Sequence, residues 1–292
     1  MEIIIAKNSG LCYGVRRALK IARETREKKS GKVCTLGDLI HNPQVIADLK
    51  KQGIQSVTNQ DELDEGWVII RSHGVSPDTY NLLEKKDIQI VDATCPIVKK
   101  IQKLVEMLAT QKEEIIIVGN KEHPEIKGLI GFSKGKGIII ENEAQVKRLP
   151  RKKKRAVLAQ STQDLYLFEK IVAALIEKTE ELKIYNTICH STQTRQKSTS
   201  ELASYVDTLF IVGGKNSSNT NKLFQISKRI LSNTYFIESA AQINFEMLKD
   251  SKKIGLSGGA STPPEAIQEA VNKIKSSFKH QHQREKIVQC QR

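Results

Sequence analysis

The pattern of apolar and polar positions repeats three times along this chain. Each repeat opens with a short β-rich run, a small polar turn, one cysteine and a segment whose apolar residues recur at helical spacing, at residues 3–22, 88–108 and 182–205. In the first copy, Ile3 to Ala6 predict a buried strand. The helix that follows is predicted by the spacing of Val15, Ala18, Leu19 and Ala22.

The likeness continues beyond each opening segment. A second strand ends in a polar loop at residues 34–43, 115–125 and 209–219, and a third ends at residues 68–74, 156–162 and 254–262. The chain is therefore interpreted as three copies of one βαβαβ-like unit. We predict lobes at residues 1–95, 96–188 and 189–278, followed by a basic, disordered tail at 279–292.

Three of the five cysteines, Cys12, Cys95 and Cys189, occupy the same position in the repeat. Strands alternating with helices predict parallel sheets, whose carboxyl ends bind ligands. If the three units pack about a pseudo-threefold axis, three thiolates converge there, each stabilised by a helix N-terminus. Cys34, inside a predicted strand, and Cys290, in the tail, do not share this position.

Three converging thiolates could hold zinc with a fourth protein ligand or an iron–sulfur cluster with one open iron. Structural zinc sites usually use short C-x₂₋₄-C spacings, which this sequence does not contain. Iron–sulfur ligands are also often clustered and usually include a fourth cysteine. The spacing favours a catalytic iron–sulfur site but leaves zinc open.

Loop residues near the predicted strand ends could bind an oxyanion. The segments at 215–221 and 258–262 offer hydroxyl and amide donors ahead of helices, which suits phosphate oxygens. The imidazoles of His41, His73 and His123 can also donate to a phosphate. Glu125 follows His123 closely and would be a proton donor if burial raises its pKa.

Composition narrows the classes of partner. The 292 residues include 47 basic and 33 acidic side chains, a formal net charge of +14, which favours anionic partners. Aromatic residues are only 5% and do not alternate with basic ones, so base stacking on nucleic acid is not expected. We expect no signal peptide and no membrane span. The widely spaced, odd number of cysteines indicates a reducing compartment, and hence the cytoplasm.

Nine segments of the sequence resemble the 4-hydroxy-3-methylbut-2-enyl diphosphate reductase family. They run in order from residue 10 to residue 264, as GLCYGVRRA, IHNPQV, RSHGV, DATCP, HPEIKG, AQSTQ, NTIC, GGKNSSNTN and GGASTP. The resemblance implies an α/β trefoil fold, with three pseudo-threefold-related lobes of parallel-rich sheets around a central iron–sulfur cluster. The threefold repeat is visible without the family, whereas the substrate is not.

The resemblance also implies roles for individual residues. One 4Fe–4S cluster would be held by Cys12, Cys95 and Cys189, with its apical iron free for the hydroxyl oxygen of the substrate, and Glu125 would be the proton donor. The substrate would be bound by His41, His73, His123, Ser161, Thr192, Ser217, Ser218, Asn219 and Ser261. The implied reaction removes the allylic hydroxyl as water, the last step of the non-mevalonate isoprenoid pathway. It gives isopentenyl and dimethylallyl diphosphate, with electrons from a ferredoxin or flavodoxin.

Four positions depart from the family pattern. Ser161 stands where threonine is usual, Leu11 replaces phenylalanine, Gln102 replaces histidine and Gly258 replaces alanine. We expect these changes to affect rate or product ratio rather than reaction class. The competing hypotheses are a zinc-stabilised protein that binds nucleic acid or an acidic partner, and a sensor that keeps the cluster without turnover.

Overall fold

Twelve strands and ten α-helices alternate along the part of the chain that the structure describes. This computed structural model describes the backbone of residues 1–249 and 251–289, and side chains within those ranges up to residue 278. The strands are β1 Glu2–Ile5, β2 Val33–Leu36, β3 Ile54–Val57, β4 Glu65–Ile70, β5 Asp87–Asp92, β6 Glu114–Val118, β7 Ile138–Ile140, β8 Lys152–Ala159, β9 Thr179–Tyr185, β10 Thr208–Val212, β11 Thr234–Ile237 and β12 Lys253–Gly258. The helices are α1 Tyr13–Lys28, α2 Pro43–Lys51, α3 Pro77–Glu84, α4 Pro96–Ala109, α5 Pro124–Phe132, α6 Glu143–Lys147, α7 Leu165–Ile176, α8 His190–Ala203, α9 Ser218–Ile230 and α10 Pro264–Gln289.

The strands form three sheets of four strands each, and every pairing is parallel. Sheet A has the order β1-β12-β10-β11, sheet B the order β3-β2-β4-β5, and sheet C the order β7-β6-β8-β9. The three orders are the same once corresponding strands are aligned. The prediction of an α/β fold with three parallel-sheet lobes is therefore confirmed.

The strand before each cysteine pairs with the sheet of the preceding repeat. β5 lies beside β4 in sheet B, β9 lies beside β8 in sheet C, and β1 lies beside β12 in sheet A. Each repeat also contains a strand, β3, β7 or β11, that the sequence pattern did not reveal. These short strands lie at sheet edges, and their sequences carry little alternation from which to predict them.

The described chain divides into two compact units, which do not coincide with single repeats. Residues 12–193 form one unit and contain sheets B and C, while residues 1–11 and the chain from 194 onward form the other and contain sheet A. The lobe limits at 95, 188 and 278 remain a prediction. Helix α10 extends past residue 278, and residues 290–292 of the predicted tail, including Cys290, lie outside the described residues.

Both faces of sheet C are covered, which explains the continuous apolar run of its strands. Ile115 and Ile117 of β6 pack with helices α4 and α5, whereas Ile116 and Val118 pack with α6 and α7. A parallel strand buried on both faces needs apolar residues at every position. In sheet B, Cys34 is 1% exposed within β2 and belongs to the core, which confirms its predicted packing role.

Candidate active site of thiols, imidazoles and a buried carboxyl

Cys12, Cys95 and Cys189 lie together at the N-terminal ends of three helices. Cys12 precedes α1, Cys95 precedes α4 and Cys189 precedes α8. A methyl group built on Gly14 would lie 2.6 Å from Cys95 Sγ and 4.0 Å from Cys12 Sγ. Burial raises the pKa of the Cys95 thiol, and the charges of Cys12 and Cys189 raise that pKa further. The three thiols are therefore neighbours, and all three are free of disulfides.

The same backbone geometry holds each of these cysteines. The carbonyl oxygens of Cys12, Cys95 and Cys189 each accept a bond of 3.0 Å from the N–H four residues on, which begins the helix. The N–H groups of Cys95 and Cys189 donate to the carbonyl oxygens of Ser72 and Ser161, at 3.0 and 2.9 Å. Neither the Cys12 side chain nor the Cys95 side chain forms a capping hydrogen bond with its own helix. Their sulfur atoms are thus available to an external ligand.

The imidazoles of His41, His73 and His123 form a second cluster in the same unit. The rings of His41 and His73 stack with centroids 4.2 Å apart, and His123 meets each of them edge-on at 5.3 Å. One ligand nitrogen from each ring lies within 4.8 Å of the other two. Three imidazoles this close could hold a metal ion or donate to one oxyanion.

Burial and positive charge keep this cluster neutral. Burial lowers the pKa of His123 to about 3, with further lowering by His41 and Arg71. The pKa of His73 is well below its ordinary value, first through burial and then through His41, His123 and Arg71. The pKa of His41 is lowered by burial and by Arg71, against a smaller opposing effect of Asp38. At neutral pH each ring therefore carries one N–H.

The tautomer of His123 follows from its role as the N-cap of α5. Its Nδ1 accepts a hydrogen bond of 3.2 Å from the backbone N–H of Glu125. Since Nδ1 is an acceptor, the single proton of the neutral ring is on Nε2. His123 therefore presents an N–H donor on the side away from the helix.

Glu125 is a buried carboxyl group held by a single neighbour. Its side chain is 2% exposed, and its two oxygens accept from the N–H of Ser161 at 2.7 Å and from the Ser161 hydroxyl at 2.6 Å. Burial raises the pKa of Glu125, and the two bonds from Ser161 lower it in part. The raised pKa and the fixed position are what a proton donor requires.

Thr192, another predicted site residue in the same unit, is 5% exposed in the first turn of α8. Its backbone N–H donates to the backbone carbonyl oxygen of Cys189 at 2.8 Å.

The remaining predicted residues lie in the other unit, at two loops after strands of sheet A. Ser217 caps α9 and accepts from the N–H of Thr220 at 3.3 Å, and Ser218 begins that helix. Asn219 is 3% exposed, and neither its amide oxygen nor its amide nitrogen has a hydrogen-bond partner among the described residues. Ser261, 5% exposed, lies in the loop between β12 and α10. A buried amide of this kind is expected to bond a ligand.

Sequence reasoning placed these residues at strand ends but missed two of their neighbours. Arg71, next to His73 in sequence, acts on all three imidazoles of the cluster. Gly14 lies against the thiols and leaves no room for a side chain. Each lies two residues from a predicted site residue in the sequence, and this short separation could have indicated that it belongs to the site. What they touch depends on packing between distant segments.

These features define an α/β protein that holds half-buried thiols, an imidazole cluster and a buried carboxyl in one unit, a class suited to metal-assisted chemistry on an anionic substrate. The family comparison narrows the class. The LytB protein family model matches residues 3–275, and the chain belongs to that family.

Two similar proteins have the same name. The chain is 43% identical over 281 residues to the 4-hydroxy-3-methylbut-2-enyl diphosphate reductase of Caldanaerobacter subterraneus subsp. tengcongensis, covering 94% of this chain and 97% of that protein. It is 39% identical to the protein of the same name from Aquifex aeolicus, covering 94% and 96%. Both alignments span nearly the full length of each partner.

Solved structures agree with these relatives. The structure of (E)-4-hydroxy-3-methyl-but-2-enyl diphosphate reductase, the terminal enzyme of the non-mevalonate pathway, is 40% identical with a TM-score of 0.68, covering 94% of this chain and 100% of that one. A reductase structure from Plasmodium falciparum is 28% identical with a TM-score of 0.89, covering 93% and 87%. Among the described residues, no helix has both the length and the apolarity needed to cross a membrane.

Proposed function

We propose that this protein reduces (E)-4-hydroxy-3-methylbut-2-enyl diphosphate to isopentenyl and dimethylallyl diphosphate. The proposal rests on family membership. One structural observation supports it most directly. Three free thiols lie close together at three helix N-termini, in the same unit in which Glu125 is buried. The reaction uses two electrons and two protons, breaks one C–O bond, forms one C–H bond and releases water.

The thiols of Cys12, Cys95 and Cys189 fit a 4Fe–4S cluster with one iron free of protein ligand. They are free and adjacent, and the nearby backbone N–H groups of Ile97 and Val98 lower the pKa of the Cys95 thiol against the larger effect of burial. Such donors stabilise a thiolate ligand. When bound, the cluster would supply a Lewis acid and a route for electrons. Zinc on the same thiols is the competing hypothesis.

We assign the histidine cluster to the diphosphate rather than to a second metal. The positive charge of Arg71 acts on all three rings, and such a potential favours an anion over a cation. The Nε2–H of His123 provides one donor. Ser217, Ser218, Asn219 and Ser261 would provide the others, because the hydroxyl, amide and backbone N–H groups at a helix N-terminus bind phosphate oxygens.

Glu125 is assigned as the proton donor of the reaction. Its carboxyl is buried and its pKa is raised by that burial, so it retains a proton closer to neutral pH than an exposed glutamate. Ser161 fixes its orientation through two hydrogen bonds. We further propose that Thr192 contacts the substrate from the first turn of α8.

The electrons would come from a ferredoxin or flavodoxin in the cytoplasm. The formal charge of +14 suits such an acidic protein donor.

The experiment that tests the proposal is Mössbauer spectroscopy of anaerobically prepared, iron-57-labelled protein, with and without the hydroxylated diphosphate. We expect a 4Fe–4S signal with one distinct iron that shifts when the substrate is added. Isoprenoid diphosphates should form when a reductant is supplied.

Two other outcomes would contradict the proposal. Protein that contains no cluster iron under anaerobic conditions but binds zinc stoichiometrically would indicate the binding-protein hypothesis. A cluster whose spectrum ignores the substrate, in protein without turnover, would indicate a sensor.

A further inference from the structure

Each of the three sheets has a crevice between its two central strands, and in sheets B and C the connections from those strands leave in opposite directions. In sheet B this point lies between β2 and β4, because β2 connects to β3 on one side and β4 to β5 on the other. Sheets C and A have the same crevice between β6 and β8 and between β10 and β12. Ligands of open parallel α/β sheets bind outside the strand ends at such switch points.

The three crevices share a glycine on one strand and differ at the residue that faces it. Gly37, Gly119 and Gly213 each follow the first strand of the pair. The neighbouring strands end in register with them, as Leu36 pairs with Ile70, Val118 with Ala159, and Val212 with Gly258. The next residue on that neighbouring strand is Arg71 in sheet B, Gln160 in sheet C and Gly259 in sheet A.

Gln160 and Arg71 differ in how their polar atoms are used. The Gln160 amide accepts from the N–H of Asn120 at 3.1 Å and donates to Thr162 Oγ1 at 3.0 Å, so it closes its crevice internally. The guanidinium of Arg71 lies over Gly37, where a methyl group would be 2.4 Å from Nη1. Its Nε is buried and has no hydrogen-bond partner among the described residues.

Arg71 also lacks a close carboxylate within the described part of the chain. Asp38 is the acidic residue whose charge acts on it, but no oxygen of Asp38 comes within the 4.0 Å of an ion pair. The Asp38 carboxylate instead accepts from Ser56 Oγ at 2.9 Å. A guanidinium that is largely withdrawn from water without a partner is costly, and an anion would offset that cost.

A cavity of about 390 Å³ lies directly against this guanidinium. A second cation, Lys127 of α5, lines it and forms an exposed ion pair of 3.0 Å with Glu122, which does not itself line the cavity. No described acidic residue lines the cavity. Hydroxyl and amide groups complete the polar lining, from Thr58, Asn59, Gln60, Ser76 and Thr79. None of the three histidines lines this cavity, so it is a place distinct from the imidazole cluster.

We propose that this cavity is a second anion site, which binds the phosphoryl group of a small phosphorylated metabolite through Arg71 and Lys127. The planar fork of a guanidinium matches two oxygens of a phosphate. The hydroxyl groups of Thr58, Ser76 and Thr79, which line the same cavity, would donate to the remaining oxygen. None of the residues that line the cavity belongs to the thiol, imidazole or carboxyl groups, and Arg71 acts on the histidine cluster through its charge alone.

The test is isothermal titration of the cluster-loaded full chain with inorganic diphosphate, comparing the wild type with four single variants. The wild type is expected to bind at two sites. Arg71→Gln should lose one of them or weaken it at least about tenfold, the size of a charge-assisted bidentate bond. Lys127→Gln should weaken the same site about severalfold, which also keeps the test valid if the Arg71 variant folds poorly.

Two controls separate this site from others. Arg148→Gln removes an exposed arginine of the same unit and should leave both sites, which excludes general attraction by the net charge. Asn219→Ala should weaken the other site, and a failure there would count against the diphosphate assignment without touching the Arg71 result.

Three results would overturn the inference. One is equal weakening by Arg71→Gln and Arg148→Gln, and a second is loss of both sites in Arg71→Gln, since Arg71 would then belong to the histidine site. The third concerns ligand class. Glycerol 3-phosphate should displace diphosphate from the Arg71 site, and malonate should not, so equal displacement by malonate would exclude a phosphoryl-selective site.

Discussion

At the scale of single residues, Glu125 provides the sharpest test of the proposed chemistry. Glu125→Gln keeps the shape and one of the two oxygens that accept from Ser161, but removes the transferable proton. We expect substrate binding and iron content to stay within about twofold, while kcat falls about 100-fold or more, the range of general acid catalysis. Steady-state kinetics with a chemical reductant and a parallel binding titration would measure both.

Glu122→Gln is the matched control for this substitution. Glu122 lies three residues earlier, is exposed and pairs with Lys127 at 3.0 Å, so its loss should leave kcat unchanged. Turnover that survives Glu125→Gln would remove Glu125 from the mechanism.

Ser161 should set the pH range in which Glu125 works. Its hydroxyl bond lowers the pKa of Glu125 against the larger raising effect of burial, so Ser161→Ala should raise that pKa further. A proton donor fails as pH rises through its pKa, and the alkaline limb of the kcat profile should therefore move to higher pH in Ser161→Ala. Ser161→Thr, which keeps the hydroxyl, should leave the limb in place, and identical limbs in all three proteins would contradict this coupling.

The histidine cluster should make the fold sensitive to acid. The pKa of His123 is about 3 in the folded chain and ordinary when unfolded, so between these values the unfolded state binds more protons. The contribution of the neutral His123 ring to the free energy of unfolding is therefore fully present above pH 6.5. It declines as pH falls toward 3, by about 1.4 kcal/mol per pH unit for one such group.

His123→Gln should remove about one proton from this dependence. Urea unfolding midpoints between pH 4 and pH 7 would measure it, under anaerobic conditions. A wild-type slope that His123→Gln does not alter would show that His123 is not held neutral.

At the scale of elements, the start of α1 couples helix geometry to the thiols. Gly14→Ala should favour the helix by about 1 kcal/mol, yet its methyl group would lie 2.6 Å from Cys95 Sγ. We expect cluster iron to fall at least by half while the thermal stability of the iron-free protein is kept or raised. Gly128→Ala in α5, where the added methyl meets atoms no closer than 3.6 Å, should leave the iron content unchanged and raise stability by up to about 1 kcal/mol. Full iron content in Gly14→Ala would contradict the packing argument.

Arg155 ties sheet C to the turn that follows α7. It is fully buried and donates to Glu114 at 2.7 Å, to the carbonyl oxygens of Lys178 and Pro150 at 2.7 Å, and to Thr179 at 3.1 Å. Arg155→Met removes the guanidinium donor from one carboxylate and two carbonyl oxygens. The loss should lower the free energy of unfolding by about 3–5 kcal/mol. Urea titration would measure this cost.

The neighbouring Lys154 offers a matched control for Arg155. Its pair with Glu181 is 2.8 Å long but largely exposed, and Lys154→Met should cost no more than about 1 kcal/mol. Equal costs for the two variants would show that the network around Arg155 is not structural.

Sequence patterns predicted elements better than they predicted pairings. The run before each cysteine was a recognisable strand, but its partner lies in the preceding repeat, and β1 pairs with β12 across the length of the chain. Local periodicity carries no information about such partners. The candidate site shows the same contrast between local and long-range information. The matching positions of the cysteines and histidines in the repeats predicted them as site residues. By contrast, the contact of Ser161 with Glu125 and the position of Arg71 over Gly37 depend on packing between segments 34 to 36 residues apart.

At the scale of the whole molecule, the position of a cysteine within the repeat predicts whether it is a ligand of the proposed cluster. Cys34 is buried in sheet B, where burial raises the pKa of its thiol, and Cys290 lies beyond the described residues. Neither shares the repeat position of the other three. Cys34→Ser and Cys290→Ser should therefore retain the full iron content of anaerobic protein, whereas Cys95→Ser should lose most of it, and a cluster lost from either of the first two would break the assignment.

The net charge of the molecule should decide how fast a protein donor reaches it. With a formal charge of +14, association with the proposed acidic donor should be steered by long-range attraction, which salt screens over about 10 Å at 0.1 M. Turnover per donor concentration should fall about tenfold between 50 and 300 mM salt. The same substrate with a small reductant of low charge measures how salt affects diphosphate binding alone, and that dependence should be much weaker. If both reductants show the same salt dependence, the charge acts on the diphosphate, and the surface has no steering role toward the donor.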